Sequence, residues 1–298
     1  MYPAFPIHYI EPVFRPPSEA RSLILPVTNG CSWNACTFCE MYTAPQKKFQ
    51  VRPQADIEAD LMRTAQSGLP VRRVFLADGD AMALSVRRLS AVLEAVHRYL
   101  PQVERISAYC LPRNVAHKSV ADLRALAEAG LRMVYVGCES GDDEVLRLVN
   151  KGETHASSAA SLLKLGEAGI TRSVMLLNGL GGTRLSRRHA LESARLMNAS
   201  QPEYLSTLVV SFPLGSARFQ AAYPDFELPD TVGLLQEMAL LMEHLQLENT
   251  VFRSDHASNY LVLKGRLGRD KAALLAQIRA AIRAPAAAGL RPEWMRGL

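Results

Sequence analysis

Short apolar runs alternate along this chain with longer stretches in which apolar residues return every three or four positions. The runs at 23–27, 74–77, 105–109, 133–137, 173–177 and 205–210 read as strands, and each is followed by a stretch with helical spacing. The helix starts carry chemical marks. Ser85, Ser119, Thr154 and Ser186 each precede a helical stretch and offer a side-chain oxygen to the unpartnered N–H groups of a first turn. Gly130 and Gly169 stand where a left-handed stop is expected. After Pro229, the stripe Leu234, Leu235, Met238, Leu241, Met242 and Leu245 predicts a helix whose apolar face belongs to the core. A further Ala-rich helix is predicted over 270–283, and the prolines at Pro3, Pro6, Pro12, Pro16 and Pro17 predict an extended arm over 1–20.

Six strand–helix units in succession imply a parallel sheet, because each helix must carry the chain back across a face before the next strand is laid down. The class is therefore α/β, either an open doubly wound sheet or a complete or partial barrel. In both arrangements ligands collect at the carboxyl ends of the strands, so the loops that follow the strands are where chemistry is expected. The expected organisation is the arm at 1–20, a core at 21–215 and a carboxy-terminal extension at 216–298 packed on the core.

Composition narrows this picture. Of 298 residues 48% are apolar, and 34 Lys and Arg against 29 Asp and Glu leave a net charge of only +5, which excludes a disordered chain. No apolar run approaches the ~18 residues of a membrane-spanning helix, and the opening residues lack a basic stretch followed by an apolar one. The cysteines number 5, too few and too clustered for a disulfide framework, so a reducing cytoplasmic setting is expected. The basic residues are scattered; a nucleic-acid partner is possible but not favoured.

The chemistry concentrates directly after the first strand, in Thr28-Asn29-Gly30-Cys31-Ser32-Trp33-Asn34-Ala35-Cys36-Thr37-Phe38-Cys39. Three thiolates on so short a loop can wrap one soft metal centre. Structural zinc requires four ligands, yet the nearest histidines are His8 and His97, and no second pair exists. A plant-type two-iron centre shares the C-x4-C-x2-C spacing and would need Cys110 or Cys138 as its fourth ligand. A four-iron cluster on three cysteines leaves one iron without a protein ligand, open to an outside molecule.

At this point the sequence resembles the radical S-adenosylmethionine (radical SAM) superfamily, whose usual signature is C-x3-C-x-aromatic-C in the first βα loop. Here the first gap is one residue longer, and Phe38 takes the aromatic position. Ala77-Asp78-Gly79-Asp80 stands where the family has a Gly-rich loop that contacts the amino group of SAM. The segment from Gly137-Cys138-Glu139-Ser140-Gly141 to Lys151-Gly152 is similar to the coproporphyrinogen-dehydrogenase-like, elongator-subunit, MiaB and NifB-like branches. Leu177-Asn178-Gly179-Leu180-Gly181-Gly182 is similar to the loop that lines the adenine pocket, although Met175 replaces the acidic residue often found within that strand.

The resemblance implies a partial (βα)6 TIM-type barrel with a carboxy-terminal helical extension. It implies a [4Fe-4S] cluster on Cys31, Cys36 and Cys39, with SAM bound by Phe38, Gly79, Asp80, Glu139, Ser140, Lys151 and Gly179. Glu139 would accept the ribose hydroxyls and Lys151 would pair with the methionine carboxylate. The expected activity is reductive cleavage of SAM to a 5′-deoxyadenosyl radical that takes hydrogen from a substrate, with a flavodoxin- or ferredoxin-type electron donor. The alternatives are a non-catalytic iron–sulfur or haem trafficking protein on the same fold, and a zinc-bearing nucleic-acid binder. Cys110, Cys138 and His189 are expected to be structural. The polar segment 253–260 either closes over the ligand end of the sheet or caps the next element.

Overall fold

The computed structural model describes residues 6–213 and 215–296; the start of the predicted arm, with Pro3, lies outside the described residues. The chain divides into two units. Met1–Asn34, Cys39–Val136 and Lys164–Thr171 make the first, and Ala35–Phe38, Gly137–Leu163 and Arg172–Leu298 make the second.

The first unit runs β1 (Leu23–Pro26), β2 (Thr28–Asn29), β3 (Gln50–Val51), α1 (Gln54–Gln66), β4 (Arg73–Ala77), α2 (Val86–Tyr99), β5 (Arg105–Cys110), α3 (Arg113–Ala116), α4 (Val120–Glu128) and most of β6 (Leu131–Glu139). β1, β4, β5 and β6 lie side by side, all parallel, and β2 pairs antiparallel with β3. Residues in register share a face. Leu25, Leu76, Ala108 and Val134 form one such row, and none of them is exposed. The opposite face carries Ile24, Phe75, Met133, Tyr109 and Tyr135, on which Val13 of the arm packs. The arm is fastened there by polar bonds. Tyr135 Oη donates to Glu19 Oε1 at 2.6 Å, and the Arg105 guanidinium reaches the same oxygen at 2.7 Å. Ser85 accepts from the Arg88 N–H, and Ser119 forms a full capping box with Asp122, as their positions predict.

The second unit runs α5 (Asp143–Leu148), α6 (His155–Glu167, its last turn in the first unit), β7 (Thr171–Asn178), α7 (Gly182–Ser200), β8 (Tyr204–Val209), α8 (Ala217–Ala222), α9 (Thr231–His244), β9 (Val251–Ser254), β10 (Leu263–Arg266) and α10 (Lys271–Arg283). β7, β8 and β9 are parallel neighbours, and β10 closes the row antiparallel to β9. The carboxy-terminal extension, expected to be helical, also carries the two strands β9 and β10. α9 buries its apolar stripe and packs on α7 and α10.

A second correction concerns Ser186. It does not cap a helix; α7 begins four residues earlier, at Gly182, and the Ser186 hydroxyl donates to Glu237 Oε2 at 2.6 Å. The segment 253–260 caps β8: Ser258 Oγ accepts from the Val209 N–H, and Asn259 Nδ2 donates to the Thr207 carbonyl. The class is α/β with a mostly parallel sheet, and among the described residues no strand pairing closes a full barrel. Among them no helix is long and apolar enough to cross a membrane.

Candidate cluster and cofactor site

In the first unit, the loop after β4 presses against the cysteine loop. Gly79 has φ +53°, and a Cβ there would overlap the Gly30 carbonyl, so only glycine allows this approach. The Gly79 N–H donates to Tyr42 Oη at 3.0 Å. Asp80, 1% exposed, accepts from the Ser32 N–H at 2.7 Å, from Ser32 Oγ at 2.5 Å and from Asn114 Nδ2 at 2.9 Å. Cys31 and Cys39 are half-buried. Burial first, and the Asp80 carboxylate second, push the Cys31 thiol above its ordinary range. The Arg113 guanidinium covers the Trp33 ring at 3.8 Å.

In the second unit, the segment 35–38 is stapled to the turn that follows α5. The Thr37 N–H donates to the Val149 carbonyl at 3.0 Å, and Asn150 Nδ2 donates to the Ala35 carbonyl at 3.1 Å. Cys36 is buried, and Phe38 packs on the cluster of Val145, Val149 and Leu180. Lys151 Nζ lies 3.1 Å from Glu139 Oε1 and 6.0 Å from the centre of the Phe38 ring. Burial alone would push the Lys151 ammonium down, but the Glu139 carboxylate and the Cys36 sulfur hold it above the ordinary lysine value. Glu139 adopts φ +65°, a left-handed conformation uncommon for a residue with a side chain.

The remaining predicted positions, Ser140 and Gly179, meet a different set of groups. Ser140 Oγ accepts from the Asp142 N–H at 3.0 Å and shares a hydrogen bond with His189 Nδ1 at 2.8 Å. The Gly179 N–H donates to Glu237 Oε1 at 2.6 Å, and that oxygen lies 3.7 Å from His189 Nε2. The structure thus gathers Cys31, Gly79 and Asp80 in one unit and Cys36, Phe38, Glu139 and Lys151 in the other. Within the second unit a separate buried network joins Ser140 to Gly179. Cys110 and Cys138 are buried, and no disulfide is formed.

Sequence reasoning passed over Lys47 and Asp78. Lys47 Nζ meets Asp78 Oδ2 at 2.5 Å, both residues are buried, and Asp78 Oδ1 has no hydrogen-bond partner. They line a small pocket, with about 30 Å³ of room for a water-sized molecule, together with Pro26 and Thr28 and with Ile10 and Val13 of the arm. Tyr109 was also passed over. Burial, then Tyr135 and Asp78, push its hydroxyl above the ordinary tyrosine range. Strand alternation places Tyr109 on the Phe75 face, a signal the sequence did contain.

Residues 25–197, more than half of the chain, match the radical SAM superfamily. The chain belongs to the radical SAM superfamily. A curated relative, the haem chaperone HemW of Bacillus subtilis (strain 168), is 24% identical over 157 residues, covering 51% of this chain and 41% of that protein. The structure is similar to coproporphyrinogen III oxidase (HemN) from Escherichia coli, with a TM-score of 0.57 and 21% identity over 75% of this chain and 52% of that one. It is also similar to methylornithine synthase (PylB), with a TM-score of 0.52 and 15% identity over 76% of this chain and 63% of that one. The chain thus spans less than two thirds of the length of each of these proteins. Their likeness shows the fold, an α/β sheet of the partial TIM-barrel type found in radical SAM enzymes.

Radical SAM proteins generally bind a four-iron cluster and SAM. The donor set fits such a cluster. It offers three thiols on one loop, the soft ligands that an iron–sulfur centre takes.

Proposed function

We propose that this chain is a radical SAM enzyme whose Cys31, Cys36 and Cys39 hold a [4Fe-4S] cluster and whose neighbouring loops hold SAM. The observation that carries this reading is the fastening of the cysteine loop. In the first unit Asp80 holds Ser32, the neighbour of Cys31, by two hydrogen bonds, and in the second unit Val149 and Asn150 hold Thr37 and Ala35, the neighbours of Cys36. A ligand-bearing loop is served by such restraint, because functional side chains must be held in place by supporting hydrogen bonds.

When bound, the group supplies one-electron cleavage of SAM to methionine and a 5′-deoxyadenosyl radical, which takes hydrogen from a substrate. The chain's own part is binding, orientation and exclusion of water. Glu139 has a carboxylate for the ribose hydroxyls, Lys151 an ammonium for the methionine carboxylate, and Phe38 an apolar wall, while Gly79 and Asp80 fix the loop after β4 and Ser140 and Gly179 fix loops of the second unit. A low-potential flavodoxin- or ferredoxin-type donor would supply the electron in a reducing cytoplasm.

The likeness to HemW favours a second reading, a haem carrier that shares the fold without turnover. Anaerobic reconstitution with iron and sulfide, followed by dithionite and SAM, tests the choice. Release of 5′-deoxyadenosine supports the enzyme. A loaded cluster with no cleavage product, together with stable haem uptake, supports the carrier.

A further inference from the structure

We infer that Asp80 is a positioning residue of the cysteine loop that also sets the reduction potential of the centre Cys31 holds, and not a contact of SAM. The inference rests on the cluster reading above and assigns Asp80 a different task within it. Three geometric facts carry it. Asp80 is 1% exposed, so its carboxylate has left water and must be satisfied by the protein. Both of its oxygens are engaged: Oδ1 by the Ser32 N–H, and Oδ2 by Ser32 Oγ and Asn114 Nδ2. Ser32 follows Cys31 directly, so two of the three bonds end one residue from a thiol ligand.

The third bond anchors the strut. Asn114 lies on α3, where its Oδ1 accepts from the Leu111 N–H at 2.7 Å and its backbone carbonyl accepts from Lys118 Nζ at 2.7 Å. The cysteine loop is thereby tied through one carboxylate to Asn114, which Leu111 and Lys118 hold in turn. Charge supplies the second consequence. A buried negative group beside a metal ligand opposes the arrival of an electron, and net charge is among the levers that set iron–sulfur potentials. The bonds to Ser32 and Asn114 are charge-assisted, so losing the charge also weakens the tie.

The test is Asp80→Asn in the reconstituted full chain, read by potentiometry, by iron loss to a chelator and by SAM affinity in calorimetry. The expected result is a midpoint potential shifted to more positive values, faster iron loss and a SAM affinity within twofold of wild type. Asp80→Asn sets an amide donor against the Asn114 donor; adding Asn114→Asp restores a donor–acceptor pair, and iron retention should recover. Should Asp80→Asn fail to fold, Ser32→Ala removes one bond and leaves the carboxylate, and is expected to hasten iron loss alone. An unshifted potential with unchanged iron retention in Asp80→Asn overturns the inference. So does a tenfold loss of SAM affinity at an unchanged potential, which would return Asp80 to the cofactor. A wild-type chain that takes up no iron and sulfide defeats the cluster reading itself; normal uptake with indifferent Asp80 and Ser32 variants defeats only the strut.

Discussion

The Lys151 ammonium and the Glu139 carboxylate meet at 3.1 Å, both buried, in a space that only glycine at position 137 leaves open. A Cβ on Gly137 would run into Glu139 Oε1 and approach Lys151 Nζ to 3.4 Å. Taking two charges out of water is costly, and removing one partner leaves the other uncompensated. Lys151→Met should therefore lower the unfolding free energy by about 3–5 kcal/mol. Urea denaturation of the apo chain measures this, and combining Lys151→Met with Glu139→Gln should recover much of the loss.

The same pair has a proposed task toward SAM. Glu139→Gln keeps an oxygen for Lys151 but removes the charge that would accept two ribose hydroxyls. Calorimetry on the reconstituted protein should show SAM binding weakened at least about tenfold, roughly 1.4 kcal/mol, at unchanged iron content. Full SAM affinity would remove Glu139 from the site.

The ligand set is tested one cysteine at a time. Cys31→Ala, Cys36→Ala and Cys39→Ala should each abolish the brown thiolate-to-iron absorbance and most bound iron. Cys110→Ala and Cys138→Ala should leave both in place. If a variant at position 110 or 138 loses the chromophore, a fourth protein ligand exists and the two-iron alternative gains ground.

One histidine predicts a pH response. Burial first, and then the Arg291 guanidinium, hold His256 below its ordinary value, and its Nδ1 accepts from the Ser258 N–H at 3.2 Å. The folded chain then binds fewer protons here than the unfolded one. This contribution to stability is complete above the unfolded histidine value, near about 6.5, and is lost as pH falls below it toward the folded value. Melting curves between pH 7.5 and 5.5, chosen to span roughly one unit either side of that value, should fall less steeply for His256→Gln than for wild type.

Much of the strand–helix order was legible because it rests on local rules. Ser85 and Ser119 cap helices where their position says they should, and Gly130 takes a left-handed φ of +107° after α4. The start of α7 was not legible. Gly181 and Gly182 disfavour a helix on their own, and the turn is held from a distance: the Thr183 N–H donates to the Glu227 carbonyl and Tyr223 Oη donates to the Gly181 carbonyl. Asp80 shows the same limit at the site. Its spacing from Cys31 is plain in the sequence, but its bonds to Ser32 and Asn114 arise only when the cysteine loop, the loop after β4 and α3 meet. Arg172 was invisible for a related reason. Its guanidinium ties together the carbonyls of Leu162, Ser200 and Gln201 and the Glu203 carboxylate, partners up to 31 positions away.

The central claim is that three cysteines leave one iron open to SAM, and electron paramagnetic resonance of the dithionite-reduced, reconstituted chain tests it most directly. Adding SAM should shift the signal of the reduced centre, because a new ligand enters its coordination. A spectrum identical with and without saturating SAM, on a fully loaded cluster, would contradict it.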